Sequence, residues 1–367
     1  MLDLVSKRYW FFGISLLIIL PGLIFLLLGG LRPGIDFSGG SLWELHFDPN
    51  HQPGLSQIQD VMTRADQDFV SSLKGQPDPA AASGVKLAQQ QLLDSRQNQA
   101  FTVVAQPSEN GVTLVRTSAV PDLSGEQQSI KDKMTAAFGP NGTVDKAAKF
   151  DPTSLRLDTT GPTVAGEVTT RSILAVLAAS LGILLYLWYA FRRVKRPLRY
   201  GICAIVAMLH DVLVVVGVFA ILGKLFGVEI DALFVTALLT VVGFSVHDTI
   251  VVFDRIRENQ IKAPGEKFAT LVNHSLVQTL ARSLTTSLTV VFTLSALYLF
   301  GGVTIRNFVL ALLIGIVSGT YSSIFNASML LVAWENGELG LGGRSRRKIT
   351  PPTKTQTVKP APSKISV

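Results

Sequence analysis

Cysteine and charge are both scarce in this sequence. The only cysteine, Cys203, lies inside an apolar run, so no disulfide forms within the chain and cysteine usage does not identify a redox compartment. Charged residues make up 16% of the 367 residues and apolar types make up 48%, whereas a soluble domain usually has about 25% charged residues. The charge deficit is concentrated in blocks, which is typical of membrane spans.

Motifs for soluble catalysis are also missing. The sequence has no Gly-x-x-x-x-Gly-Lys-Ser/Thr phosphate loop and no Gly-x-Ser-x-Gly nucleophile elbow. We therefore expect a protein that is not an enzyme, holds no cofactor and takes its energy from an ion gradient or a partner. The net charge is +7, but the basic residues cluster beside apolar segments, which favours a topology signal over nucleic-acid binding.

Six apolar blocks are long enough to cross a bilayer, which takes about 20 residues. The first, at 10–28, is longer than the apolar region of a signal peptide, which has about 7–15 residues, so we interpret it as an uncleaved span. The others lie at 173–191, 200–222, 230–253, 276–300 and 308–334. These blocks predict a cytoplasmic N-terminus (1–9), a first transmembrane helix (10–30), an extracytoplasmic domain (31–168), a five-helix bundle (169–335) and a basic, disordered tail (336–367).

The long polar stretch after the first span has the pattern of a small α+β domain. Segments 41–47, 101–104 and 112–116 have the composition of strands, and segments 55–73 and 126–138 have the apolar spacing of helices. The stretch 74–100 is rich in Ala, Gln, Ser and Pro, which predicts a loop or a loosely held helical insertion. The predicted fold is a polytopic α-helical membrane protein, with six transmembrane helices and one α+β extracytoplasmic domain between the first and second.

Lysine and arginine predict the orientation, because cytoplasmic loops are enriched in both. The third and fifth loops between the spans contain only one basic residue each, Lys224 and Arg306. The second and fourth loops and the tail are basic, with Arg192, Arg193, Lys195, Arg196, Arg199, Arg255, Arg257, Lys262, Lys267, Arg344, Arg346, Arg347 and Lys348. This bias predicts that both termini are cytoplasmic.

Three charged residues fall inside the apolar blocks: Asp211, Asp248 and Arg282. Charge within a span is costly and is usually retained for function. Asp248 precedes the cytoplasmic end of its span, and Arg282 follows the cytoplasmic start of the next, both at a depth of roughly 8–9 Å at 1.5 Å per residue. Adjacent antiparallel helices could therefore pair Asp248 with Arg282.

Polar side chains extend these positions into stripes. Arg282 shares one helical face with three threonines, Thr286, Thr289 and Thr293, and the preceding span has a similar face, with Thr236, Thr240, Gly243 and His247. The hydroxyls could hold water and relay protons, or could hydrogen-bond neighbouring helices. Two His-Asp pairs, at 210–211 and 247–248, lack the i, i+3 or i, i+4 spacing of metal ligands, so we expect no metal site.

Two runs carry a resemblance to a known family. Residues 242–259, Val-Gly-Phe-Ser-Val-His-Asp-Thr-Ile-Val-Val-Phe-Asp-Arg-Ile-Arg-Glu-Asn, closely resemble the signature of the SecF family of protein translocase subunits. Residues 34–40, Gly-Ile-Asp-Phe-Ser-Gly-Gly, resemble that family's other signature. The residues in these signatures are Gly34, Asp36, Gly39, Gly40, Asp254, Arg255, Arg257, Glu258 and Asn259. Further matches are His210-Asp211, Gly161-Pro162 and the Arg282-Ser283 pair.

The resemblance implies a fold of the resistance-nodulation-division type in the bacterial plasma (inner) membrane. It also implies work with SecD, the SecYEG channel and other Sec accessory membrane proteins, using proton flow to move preproteins. The family's proton-coupling Asp and Arg fall on Asp248 and Arg282, and we add Asp211 because of its position within a span. His247, Thr240 and Thr286 are candidates for tuning. Two departures are His247, where the family commonly has Asn, and the longer external domain around 74–100.

Two other classes of function compete with this interpretation. One is a proton-coupled exporter of lipid or small molecules from the same superfamily, although such proteins usually carry two large external domains and two sets of spans. The other is an interaction protein whose external domain docks chaperones. Charges placed within the spans argue against the second class, because an anchor does not need them.

Overall fold

The computed structural model describes residues 3–75, 83–98, 100–107, 111–121, 125–192 and 196–338. The described residues include six helices that are long and apolar enough to cross a membrane, with a small α+β domain between the first and second. The predicted fold class is therefore confirmed. The tail predicted at 336–367 lies outside the described residues from 339 onward.

The elements follow the chain in three groups. The first group is α1 (Arg8–Leu27), β1 (Arg32–Pro33), α2 (Ile35–Ser38) and β2 (Gly40–His46). The remainder of the external domain is α3 (Leu55–Gly75), α4 (Ser83–Asn98), β3 (Val103–Pro107), β4 (Val112–Thr117), α5 (Glu126–Phe138) and β5 (Arg156–Thr160). The bundle is α6 (Pro162–Phe191), α7 (Pro197–Phe226), β6 (Glu229–Ile230), α8 (Ala232–Lys262), α9 (Phe268–Phe300), α10 (Val303–Tyr321), a π-helical segment (Ser322–Ala327) and α11 (Ser328–Glu335).

The external domain is a four-stranded antiparallel sheet with helices packed on one face. The strand order is β3-β4-β2-β5, and the order of elements along the chain matches the split βαβ arrangement of ferredoxin-like folds. Alternation along β2 points Trp43 and Leu45 into the core, where they are 1% and 0% exposed. Helices α3 and α5 cover this face with Met62, Ile130 and Phe138. The strand β5 has no counterpart among the predicted strands.

The described part of the insertion at 74–100 is a helix, α4, which packs through a buried charge cluster. Arg96 donates to Asp66 on α3 at 2.7 Å and to Glu126 on α5 at 2.9 Å. Burial raises the pKa of Glu126 to about 8, and a hydrogen bond with Asp66 adds to the effect. One arginine facing two buried carboxylates favours retention of a proton on the pair. Residues 76–82 and 99 of the insertion lie outside the described residues.

The ends of the spanning helices follow local capping rules. Proline occupies the first turn of α6 (Pro162) and α7 (Pro197), where its missing N–H costs no helical hydrogen bond. Helix α7 ends at Phe226 and is followed by Gly227, whose φ of 72° suits glycine. The side chain of Asp231 caps α8 by accepting a hydrogen bond from the backbone N–H of Phe234 at 2.8 Å.

Helices α1, α7, α8 and α10 pack closely, and small residues set two of the crossings. On α10, a Cβ at Gly315 would lie 2.1 Å from a methyl carbon of Val241 on α8, so glycine permits the close approach of these two helices. The first span, α6 and α9 are the least buried, with 11%, 6% and 11% of their most apolar residues buried, against 44% or more in the other three. One side of each is therefore open to lipid or to a partner.

Candidate functional site

Asp248 lies on α8 at the edge of the bundle and is 9% exposed. One carboxylate oxygen, Oδ1, accepts a hydrogen bond from the hydroxyl of Ser283 on α9 at 2.7 Å. The other oxygen, Oδ2, is buried and has no hydrogen-bond partner among the described residues. A buried carboxylate with a vacant oxygen can take up a proton without breaking an existing bond.

Arg282 lies beside this carboxylate but does not pair with it directly. No ion pair within 4.0 Å joins Arg282 and Asp248 among the described residues, although Arg282 and His247 both lie close enough to act on Asp248 electrostatically. Consecutive residues of a helix point about 100° apart, so Ser283 faces inward while Arg282 is exposed on the outer side of α9. The matched depth predicted for the two helices brings Ser283, not Arg282, to the carboxylate. The sequence signal for Ser283 was its place after Arg282 in the family motif.

The threonine stripes lie on the outer surface of the chain. Thr240 on α8 and Thr286 on α9 are exposed, as are Thr236, Thr289, Thr293 and His247. The hydroxyl of Thr286 donates to the carbonyl of Arg282 at 3.0 Å, and that of Thr240 donates to the carbonyl of Thr236 at 2.8 Å. These hydroxyls bond their own helices and not neighbouring ones, so the stripes form a polar outer face, here called the α8–α9 face.

Asp211 occupies a different environment in the centre of the bundle, where it is 0% exposed. Its Oδ1 accepts from the hydroxyl of Ser318 at 2.7 Å and faces Nδ1 of His210 at 3.0 Å. Its Oδ2 accepts from the hydroxyls of Ser245 at 2.5 Å and Ser322 at 2.6 Å. These contacts join α7 to α8 and to the last span. The structure therefore places Asp211 in a saturated hydrogen-bond cage, away from the α8–α9 face.

The glycine-rich signature connects the external domain to the ends of the spans that face this domain. Gly34 donates its N–H to the carbonyl of Ile230 at 2.7 Å, and Asp36 accepts the N–H of Ala232, at the start of α8, at 2.9 Å. The pKa of Asp231, the neighbouring cap, is raised by burial and by the charge of Asp36.

Gly39 and Gly40 of the same signature have φ values of 73° and 136°. A Cβ at Gly40 would lie 2.7 Å from the carbonyl oxygen of Thr117 on β4. Both positions therefore require glycine, the first for its conformation and the second also for space. This signature is a structural joint between the sheet, α6 and α8.

The end of the long signature ties the C-terminal end of α8 to the N-terminal part of α9. Arg255 donates to the side-chain carbonyl of Gln278 at 2.6 Å, and Asn259 donates to the hydroxyl of Ser275 at 2.9 Å. Glu258 accepts from Arg255 at 2.5 Å. Arg257 and Asp254 pair along the same helix at 2.6 Å. Among the described residues, no group of three His, Cys, Asp or Glu side chains is arranged to hold a metal ion.

Two family models match the chain. The model described as protein export membrane protein SecD/SecF, C-terminal, matches residues 142–337, and the SecD/SecF GG motif matches residues 24–50. The protein translocase subunit SecF of Thermobaculum terrenum is 53% identical over 336 residues, covering 92% of this chain and 95% of the relative. The SecF subunit of Anaerolinea thermophila is 44% identical, covering 92% and 96%.

Longer relatives carry a similar region within one chain. The protein translocase subunit SecDF of Bacillus subtilis is 34% identical over 92% of this chain but 38% of its own length. A crystal structure of SecDF from Thermus thermophilus, a translocon-associated membrane protein, matches with a TM-score of 0.64 and 28% identity, covering 91% of this chain and 39% of that one. The present chain thus spans about two fifths of the SecDF chains that it matches.

Proposed function

The chain belongs to the SecD/SecF family of protein export membrane proteins, and we propose that it serves as the SecF subunit of the Sec protein translocase accessory complex. In this proposal it works with SecD and the SecYEG channel in the bacterial inner membrane, with both termini in the cytoplasm. The proton gradient supplies the energy, and the output is preprotein translocation and release on the far side. Asp248 and Arg282 form the coupling site.

The observation that carries the proposal is the half-satisfied carboxylate of Asp248 next to a polar outer face. The ionised form of a carboxylate at membrane depth is disfavoured unless it is paired. Ser283 supplies one hydrogen bond to Asp248, and the exposed guanidinium of Arg282 can supply charge when the helices shift. Approach of Arg282 favours the ionised state, and its withdrawal favours the protonated state. Alternation between the two binds a proton on one side and releases it on the other.

The α8–α9 face is the surface on which we expect a partner protein to bind. Arg282 stays charged at any accessible pH, and an arginine facing hydrocarbon is costly. The face is open in this chain, so a second polar helix must cover it in the working assembly. SecD is the partner that we propose, because relatives such as the SecDF of Bacillus subtilis carry SecD and SecF names on one chain.

Replacement of Asp248 by Asn tests the coupling role. The amide keeps the size and the hydrogen bond to Ser283 but cannot titrate, so we expect gradient-driven preprotein release from vesicles to fall to the level seen with an uncoupler. Arg282→Lys should be impaired less than Arg282→Ala, because lysine keeps a charge but loses the planar fork. Glu167→Gln is the matched control, because Glu167 is an exposed acid that pairs with Arg171 on α6.

Two results would count against this assignment. Normal uncoupler-sensitive release by the Asp248→Asn variant would make Asp248 structural. Transport of lipid or a small molecule by vesicles that release no preprotein would favour the alternative exporter. Co-purification with SecD, compared between wild type and Asp248→Asn, checks that the variant still assembles.

A further inference from the structure

We infer that Asp211 is a positioning residue, which fixes the π-helical segment of the last span against α8 and so orients the turn that carries Asp248. It does this as a permanent hydrogen-bond acceptor and does not itself exchange the transported proton. The inference rests on the proposed function, because it assigns a role within the same site. It separates the two buried aspartates, both of which are candidates for proton coupling on the basis of the sequence.

The first observation is the saturation of the Asp211 carboxylate. Each oxygen faces two polar groups within hydrogen-bond distance, three serine hydroxyls and one ring nitrogen of His210 in total. An added proton on either oxygen would compete with these contacts, and a donor that is left buried without an acceptor costs about 1–3 kcal/mol. Asp248 has one donor and a vacant oxygen. Protonation therefore disturbs more existing contacts at Asp211 than at Asp248.

The second observation is the π-helical segment itself. It begins at Ser322, one of the cage residues, and both the segment and the residue before it are bonded to α1. The hydroxyl of Tyr321 donates to the carbonyl of Phe11 on α1 at 2.7 Å, and the amide of Asn326 donates to the hydroxyl of Ser15 at 2.8 Å. A π-helical turn inserts one extra residue into a helix and is frequently found at functional sites. The cage and these two bonds hold the widened turn in place.

The third observation links this segment to the coupling site. The hydroxyl of Ser323 donates to the backbone carbonyl of Ser245 at 3.1 Å and lies 2.8 Å from the hydroxyl of Thr249. Ser245 and Thr249 bracket Asp248 on α8. The π-helical segment therefore contacts, and holds in place, the turn of α8 from which Asp248 accepts the hydrogen bond of Ser283 on α9. Loss of the Asp211 carboxylate frees both α8 at Ser245 and the π-helical segment at Ser322, because these two hydroxyls donate to the same carboxylate oxygen.

The test compares Asp211→Asn and Asp211→Ala with Asp248→Asn in the full chain. Asn keeps one oxygen that can accept the contacts of one side of the cage but replaces the other oxygen with an NH2 group, so we expect a partial loss of uncoupler-sensitive release. Ala leaves the cage donors unpaired, and we expect a loss of about tenfold or more. In both variants the pH of half-maximal release should stay within about 0.5 units of wild type, because the titrating group is unchanged. His210, the other titratable group facing Asp211, is kept in both.

Hydrogen–deuterium exchange gives a readout independent of transport. We expect Asp211→Ala to speed exchange of the amides at 245–249 and 322–327, and Asp211→Asn to speed it less. The inference is overturned if Asp211→Asn abolishes release as Asp248→Asn does, if either Asp211 variant shifts the pH midpoint, or if Asp211→Ala leaves exchange unchanged. Normal release by Asp248→Asn would instead overturn the proposed function. The exchange data would then still test whether Asp211 holds the π-helical segment against α8.

Discussion

The crossing of α1 and α7 provides a direct test of the packing in this structure. Gly22 on α1 faces Gly217 on α7, and a Cβ built on Gly22 would lie 2.6 Å from the Cα and 3.1 Å from the carbonyl carbon of Gly217. The reciprocal Cβ on Gly217 would lie 2.9 Å from the Cα of Gly22. Both obstacles are backbone atoms, so no side-chain rotation relieves the clash. Gly22→Ala therefore forces the two helices apart.

The size of the effect follows from these distances. Non-bonded carbon atoms prefer a separation of about 3.5–4.0 Å, so the helices must move apart by roughly 1 Å, and overpacking of this kind costs about 1–3 kcal/mol. Alanine also gains about 0.8–1.0 kcal/mol of helix propensity over glycine. Gly13→Ala on the same helix supplies the reference for that gain, because no described atom lies within 4 Å of its Cβ.

The assay is reversible unfolding of the purified protein in detergent micelles. Tryptophan fluorescence monitors the transition and gives the free energy of unfolding. We expect Gly22→Ala to be less stable than Gly13→Ala by about 1–3 kcal/mol, and Gly217→Ala to behave like Gly22→Ala. The double variant at 22 and 217 should cost less than the sum of the two, because one separation of the helices relieves both clashes. Equal stability of Gly22→Ala and Gly13→Ala would show that the close crossing of α1 and α7 is wrong.

Two further predictions concern the external domain and the topology. Because the pKa of Glu126 is raised from 4.5 to about 8, the native state holds a proton that the unfolded state releases. The stability of the domain should therefore fall as pH rises from about 4.5 to 8 and level off above that range. Glu126→Gln should flatten this pH dependence in thermal unfolding, and an unchanged slope would contradict the raised pKa. The topology is tested with single cysteines in a Cys203→Ser background. A cysteine replacing exposed Asn141 should react with an impermeant thiol reagent in intact cells, and a cysteine replacing exposed Glu266 should react only after permeabilisation. The reverse pattern would show that the proposed orientation is inverted.

Local patterns were sufficient for the spans and for most of the external domain. A bilayer requires about 20 apolar residues per helix, so the six spans stand out from composition. Strand alternation likewise located β2 and β4, where every second side chain enters the core. The strand β5 was missed, because its five residues, Arg156–Thr160, lie at the sheet edge with little burial. Helix α4 was left undecided, because Arg96 holds it through Asp66 and Glu126, each 30 residues away.

By itself, the sequence determined that charge lies within the membrane at Asp211, Asp248 and Arg282. Only the tertiary structure decided how these charges differ. Asp211 is caged by Ser318 and Ser322, which lie 107 and 111 residues further along the chain. The rotation of α9 turns Ser283 toward Asp248 and leaves Arg282 outside. Such distinctions depend on contacts between distant segments and on helix rotation, whereas apolar length and charge placement are properties of each segment alone.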